Sequence, residues 1–212
     1  MPYVLLFIGC ISLFFSGLGL TITNLQQLDV SSVVWISEHR SVFLNGITTI
    51  LSYVGGLLPM IVIVGILSLQ FIRLKQYANL LMVSLGLFGS ATIGWILKYL
   101  INRPRPDEVY QMVHTYGASF PSAHSLYAAM LACSIIFIFH KHNRIKLICL
   151  AAFLWILSMG ISRVYLGAHF PTDVLAGWGI GFIWAAILWF ILLPKTLSKN
   201  KLFLDKNLNE VE

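Results

Sequence analysis

Three polar segments interrupt an otherwise apolar chain: KYLINRPRP at 98–106, FPSAHS at 120–125 and SRVYLGAHFPTD at 162–173. Together they hold the residue types that phosphoryl transfer needs. Lys98, Arg105 and Arg163 are fixed cations. Arginine forks match phosphate oxygens in pairs, and lysine adds a point charge. Pro121 and Ser122 stand where a helix begins, and proline suits a first turn. Free backbone N–H groups at such a start, with the Ser122 hydroxyl, form an anion site. Pro171 opens another helix, so His169 lies just before it and Asp173 falls in its first turn. A carboxylate on one imidazole nitrogen fixes the tautomer and makes the other nitrogen a better nucleophile. His124, one turn into the helix after Pro121, is a second imidazole, free to act as a proton donor. This is equipment for transfer through a phosphohistidine, with no metal and no cofactor.

Two histidines and an aspartate are also the ligand types of a facial metal triad. Three cations in the same pocket would repel a divalent ion and welcome a phosphate. Among the other polar residues, Lys98 taken alone reads as a snorkelling anchor at a span end. Arg103 is read as an anchor and left outside the cradle. His114 reads as a solvated loop histidine, and His39, His140 and His142 as interface residues. Asp107 and Glu108 read as loop charges. Asp173 stands apart as the one acid inside an apolar span. A central membrane aspartate costs roughly 3 kcal/mol, so Asp173 is expected to have a partner.

The elements that must position these residues follow from composition. Of 212 residues, 58% are hydrophobic and 10% charged, well below the roughly 25% charged of soluble domains. The chain therefore reads as an all-α integral membrane protein. Apolar runs long enough to cross a bilayer fall at roughly 3–22, 47–72, 78–98, 122–139, 147–166 and 172–193. The first has no basic start or cleavage site and reads as a retained helix. Gly55, Gly56 and Pro59 are expected to bend the second. Small residues such as Gly177 and Gly181 mark close helix packing. Cys10, Cys133 and Cys149 read as packing residues. Residues 23–45 form an outer connection in which Val33, Val34, Trp35 and Ile36 suit a helix on the membrane surface.

Charge sets the orientation. Nine of the 14 Lys and Arg residues (Arg73, Lys75, Lys141, Arg144, Lys146, Lys195, Lys199, Lys201, Lys206) fall on one side of the six-span plan. That side is cytoplasmic, with both termini on it. The polar segments then share the opposite face. The plan divides into a six-helix membrane domain, 1–194, and a basic cytoplasmic tail, 195–212. The formal charge of +6 belongs to this asymmetry and not to nucleic-acid binding.

At these residues the sequence resembles the type 2 phosphatidic acid phosphatase family, whose site is shared with vanadium haloperoxidases. Lys98, six residues and Arg105-Pro106 match the first part of its signature. Pro121-Ser122-Ala123-His124 matches the second, with Ala123 in place of the usual glycine. Ser162-Arg163, five residues, His169, three residues and Asp173 match the third. The resemblance implies that His169 is the nucleophile and Asp173 its orienter. It implies that His124 protonates the leaving oxygen and then activates water. Lys98, Arg105, Ser122, Arg163 and the backbone at Ala123 would hold the phosphoryl oxygens.

Leu147 to Ser162 is a run of 16 residues, roughly 24 Å of helix against a core of about 30 Å. Arg163 is thus expected at or just below the outer boundary, a depth that suits a lipid head group. The reading is a metal-independent lipid phosphatase of the bacterial cytoplasmic membrane. Its site faces outward, and its partners are the bilayer and a lipid phosphate. Candidate substrates are phosphatidylglycerophosphate, phosphatidic acid and undecaprenyl diphosphate. A lipid phosphotransferase would use the same site. A transporter would carry intramembrane charge too, but no inverted repeat is visible. A non-catalytic scaffold would not need the histidines. The sequence assigns no oligomeric state.

Overall fold

Apolar stretches in hydrocarbon satisfy their backbone hydrogen bonds internally, as helices. The computed structural model describes the backbone of residues 1–209 and the side chains of residues 1–192, and every long element among them is helical. In order these are α1 (Pro2–Thr21), α2 (Thr23–Glu38), α3 (Val42–Val54), α4 (Leu57–Arg73), α5 (Tyr77–Ile101), a 3₁₀ turn (Glu108–Tyr110), α6 (Ala123–Ile138), α7 (Ile145–Tyr165) and α8 (Pro171–Asn209). The region 195–212, read as a separate tail, continues α8 as far as Asn209; its side chains lie outside the described residues.

Helices α1, α5, α7 and the Pro171–Leu192 part of α8 are each long and apolar enough to cross a membrane. The expected span 47–72 is two helices, α3 and α4, bent by 55° at Gly55–Gly56, and counts as a fifth if taken as one. The expected span 122–139 is a 16-residue helix, α6, roughly 24 Å long and shorter than the four helices long enough to cross on their own. It need not match the bilayer, because it is packed against α5, α7 and α8 and ten of its 16 residues are buried. Helix α8 packs on α1, α5 and α6. A Cβ at Gly177 would lie 2.5 Å from the Ser122 carbonyl oxygen, so only glycine allows α8 this close to the start of α6. That contact places Asp173 beside Ser122.

Helix α2 falls in the expected outer connection and is exposed over most of its length, with two residues buried. Trp35 is exposed, but Val33 is buried with Val164, Phe170 and Val174, and Asp29 on the same helix is buried as well. Asp29, outside the apolar spans, is thus a second buried acid beside Asp173 among the described residues. Of the cysteines, Cys133 alone is buried and Cys10 is exposed.

Candidate active site

Helix α5 ends at a left-handed Asn102, whose N–H donates to the Lys98 carbonyl. The chain then runs through Pro104 and Pro106, which favour an extended path for their neighbours. Lys98 Nζ donates to the carbonyl oxygens of Ala118 (2.6 Å) and Ser119 (3.4 Å), and Ser119 N–H donates to the Arg103 carbonyl (2.8 Å). The first polar segment is thereby tied to residues 118–119, which lead into the second.

Arg105 ties both to the third. Its Nε donates to Gly117 O, one terminal nitrogen to Tyr116 O and the other to Ala168 O, each at 2.8 Å. The last also lies 3.4 Å from His169 Nε2. Arg163, in the last turn of α7, is 3% exposed. Its terminal nitrogen donates to Ser52 Oγ at 2.5 Å, and its Nε is buried without an acceptor among the described residues. Arg105 and Arg163 are both close enough to act electrostatically on Lys98.

After Arg163 the chain turns at Gly167, where φ is +67° and a Cβ would lie 2.0 Å from Tyr110 O. The neighbouring Leu166 carbonyl accepts from Met112 N–H at 2.9 Å. Gly167→Ala should therefore lower thermal stability by more than about 1 kcal/mol, from the left-handed backbone alone. A melt of the purified variant checks this.

The turn delivers His169, 3% exposed. Its Nδ1 lies 3.6 Å from Asp173 Oδ2 and 3.4 Å from Ser119 Oγ. Asp173 is fully buried and held on both oxygens. Oδ2 accepts from Ser119 Oγ (2.5 Å) and Phe170 N–H (2.9 Å), and Oδ1 accepts from Arg103 (2.6 Å). Burial pulls the His169 pKa down to about 3. The Asp173 carboxylate opposes that shift, and the charges of Arg163 and Arg105 add to it. The imidazole is therefore neutral at pH 7, with Nδ1 on the carboxylate side and Nε2 on the arginine side.

Ser122 is the N-cap of α6. Its hydroxyl accepts from Ser125 N–H (3.5 Å) and Ser125 Oγ (2.9 Å), while its own N–H donates to the Asp173 carbonyl (3.0 Å). The Ser122 N–H is thus engaged, and the first-turn donors of α6 are those of Ala123 and His124. His124 Nε2 lies 3.1 Å from Ser52 O. A carbonyl only accepts, so Nε2 carries the hydrogen and Nδ1 is the nitrogen left for proton exchange.

All eight residues singled out in the sequence thus meet at one end of the bundle. Four more join them. Arg103, read as an anchor, is corrected to a partly buried bridge between the buried carboxylates of Asp173 and Asp29. The signal was available: in an extended Asn-Arg-Pro-Arg-Pro segment, residues 103 and 105 point the same way. Asp29, Ser52 and Ser119 carried no comparable signal.

Both acids in contact with this cluster are spent on Arg103. Lys98, Arg105 and Arg163 have no carboxylate within salt-bridge distance among the described residues. Arg163 is buried and Lys98 and Arg105 partly so, and cations held this way without counter-charge favour an anion beside them.

Fold and site define a helical membrane protein with a buried imidazole beside three cations. A family model described as "PAP2 superfamily" matches residues 77–196. The chain is 37% identical to phosphatidylglycerophosphatase B of Bacillus subtilis over 176 residues, 79% of this chain and 82% of that protein. It is 27% identical to the undecaprenyl-diphosphatase of Sulfolobus acidocaldarius over 157 residues, 69% of each chain. Its fold matches the crystal structure of a transmembrane PAP2-type phosphatidylglycerolphosphate phosphatase from Bacillus subtilis. The TM-score is 0.73, with 30% identity over 93% of this chain and 96% of that one. LpxE of Aquifex aeolicus shares the fold, with a TM-score of 0.63 and 24% identity over 76% of this chain and 94% of that one. The chain belongs to the PAP2 superfamily, and it is a membrane-embedded lipid phosphatase.

Proposed function

We propose that this phosphatase hydrolyses the terminal phosphate of phosphatidylglycerophosphate through a phosphohistidine at His169, without a metal. The observation that carries the reading is the trio of cations lacking carboxylate partners beside a neutral His169. In the first step Nε2 of His169 attacks phosphorus and the bond to the lipid oxygen breaks. His124, which enters this step as the imidazolium with hydrogens on both nitrogens, gives that oxygen its Nδ1 proton and is left neutral. In the second step water attacks phosphorus, the N–P bond breaks and His124 takes the water's proton. The sum is lipid phosphate plus water giving lipid alcohol plus inorganic phosphate. Lys98, Arg105 and Arg163 stabilise the charge on the transferring group. The N–H groups at Ala123 and His124 and the Ser122 hydroxyl, whose hydrogen is not engaged in its cap bonds, line the same end of α6.

The broken pair α3–α4 and the buried α6 complete a six-crossing plan with both termini in the cytoplasm. The turns carrying Arg73, Lys75, Lys141, Arg144 and Lys146 lie at the end of the bundle opposite the site, and this charge asymmetry supports an outward-facing site in a bacterial cytoplasmic membrane. The name of the Bacillus relative favours phosphatidylglycerophosphate over phosphatidic acid and undecaprenyl diphosphate.

The test offers these three lipids to purified protein in detergent with EDTA, and to sealed right-side-out vesicles. Phosphatidylglycerophosphate should give the highest kcat/KM in EDTA, and lipid added outside the vesicles should be hydrolysed. Loss of all activity on chelation, restored by one added divalent metal, would reject the metal-free mechanism.

A further inference from the structure

We infer that Asp29 is a positioning residue for the reaction, acting through Arg103 on Asp173 and so on His169. The inference rests on the proposed role of His169 as nucleophile.

Asp29 comes from α2, far from the three polar segments in sequence, yet it is 2% exposed. Its Oδ2 accepts from Arg103 at 2.7 Å and from the Thr172 hydroxyl; its Oδ1 accepts from Thr172 N–H at 3.1 Å. Arg103 uses its other terminal nitrogen for Asp173 Oδ1 (2.6 Å) and Thr172 Oγ1 (2.8 Å). Its guanidinium lies 4.4 Å over the Phe170 ring. A buried row thus runs Asp29, Arg103, Asp173, His169.

Charge explains why the row needs its outer member. Phosphorylation at Nε2 leaves the His169 ring positive while Nδ1 keeps its hydrogen. A carboxylate at Nδ1 stabilises that cation only if its own charge is available. Arg103 alone would cancel Asp173. Asp29 on the far side of the guanidinium restores a net charge of −1 to the row. In a buried setting such a difference is weakly screened.

A purely structural reading competes with this. Thr172 N–H is in the first turn of α8, so Asp29 also caps that helix from α2. Asp29→Asn keeps one accepting oxygen, enough for Arg103 and the Thr172 hydroxyl, and loses the charge and the acceptor for Thr172 N–H. The two roles are then separated by which ligands the variant stops binding.

In Asp29→Asn, kcat should fall roughly 10- to 100-fold, the usual range for supporting contacts of this kind, with KM within about threefold. Orthovanadate, which takes a fifth ligand from His169, should lose inhibitory affinity by a similar factor. Inorganic phosphate needs only the cradle, so its inhibition constant should stay unchanged. A kcat within about twofold of the parent overturns the inference. So does a parallel loss of phosphate and vanadate binding, which would assign Asp29 to the cap alone. If Asp29→Asn does not fold, Arg103→Lys decides in its place, because an ammonium cannot bridge two carboxylates as a fork does. It should show the same split, and parental kcat there overturns the inference. His169→Gln, run alongside, must be inactive and insensitive to vanadate. An active His169→Gln would sink the phosphohistidine mechanism itself, independently of Asp29.

Discussion

Glutamine at position 169 is expected to abolish turnover, with a loss of about 10⁴-fold or more, as for removal of other enzymic nucleophiles. The side chain still fills the turn between α7 and α8 but offers no lone pair on nitrogen. With substrate labelled in its terminal phosphate, the parent should yield an acid-labile phosphoenzyme on rapid quenching, and His169→Gln should yield none. Inorganic phosphate should still bind the variant, since Lys98, Arg105 and Arg163 are held by other residues. The pH dependence has a definite sign. Protonated imidazole is no nucleophile, so rate is lost as pH falls through the folded-state pKa of His169. That pKa is drawn from its ordinary 6.5 to about 3 by burial. Corrected for the substrate's own titration near a pKa of about 6, kcat/KM should therefore hold through pH 5. A limb at about 6.5 that disappears in no other histidine variant would contradict the neutral, buried nucleophile.

The way the cations are held bears on how they would serve phosphate in the proposed mechanism. Lys98 is fixed by two backbone carbonyls, Arg105 by three, and Arg163 by the Ser52 hydroxyl. These acceptors are neutral. They orient the side chains and leave the charge uncancelled, whereas a carboxylate would orient and also compete with the substrate. The fold spends its carboxylates elsewhere, on Arg103. Repulsion among the three cations opposes folding and is relieved when an oxyanion binds, which converts stored electrostatic energy into affinity and transition-state stabilisation.

This division also shows what was legible in the sequence. Lys98, Arg105, Ser122, Ala123, His124, Arg163, His169 and Asp173 sit in three short segments at helix ends, so spacing and span count alone bring them to one face. The helical class and the bend at Gly55–Gly56 were legible for similar local reasons. The length of α6 was not: a run apolar on every side reads as a lipid-crossing span, and only the surrounding helices show that protein covers it. Nor were the partners that act at long range. Asp29 meets Arg103 across 74 positions, Ser52 meets Arg163 across 111, and Ser119 meets Asp173 across 54. No local pattern announces such contacts, and α2, which supplies Asp29, looked like a connector.

The second large effect concerns His124, and its size should depend on the leaving group. Nε2–H is directed to Ser52 O, so Nδ1 is the nitrogen that exchanges a proton with the reaction. A lipid alcohol is a poor leaving group unless protonated as the P–O bond breaks. His124→Asn should therefore slow hydrolysis of a lipid phosphate by roughly 10²- to 10⁴-fold, the range for loss of general acid–base catalysis. With p-nitrophenyl phosphate, the leaving oxygen departs without a proton. Phosphorylation of His169 in the same variant should then approach the parental rate. The second step still lacks its base, so phosphoenzyme should accumulate to a burst that the parent does not show. Equal losses on both substrates, with no burst, would remove His124 from proton transfer and leave it a binding residue of the cradle.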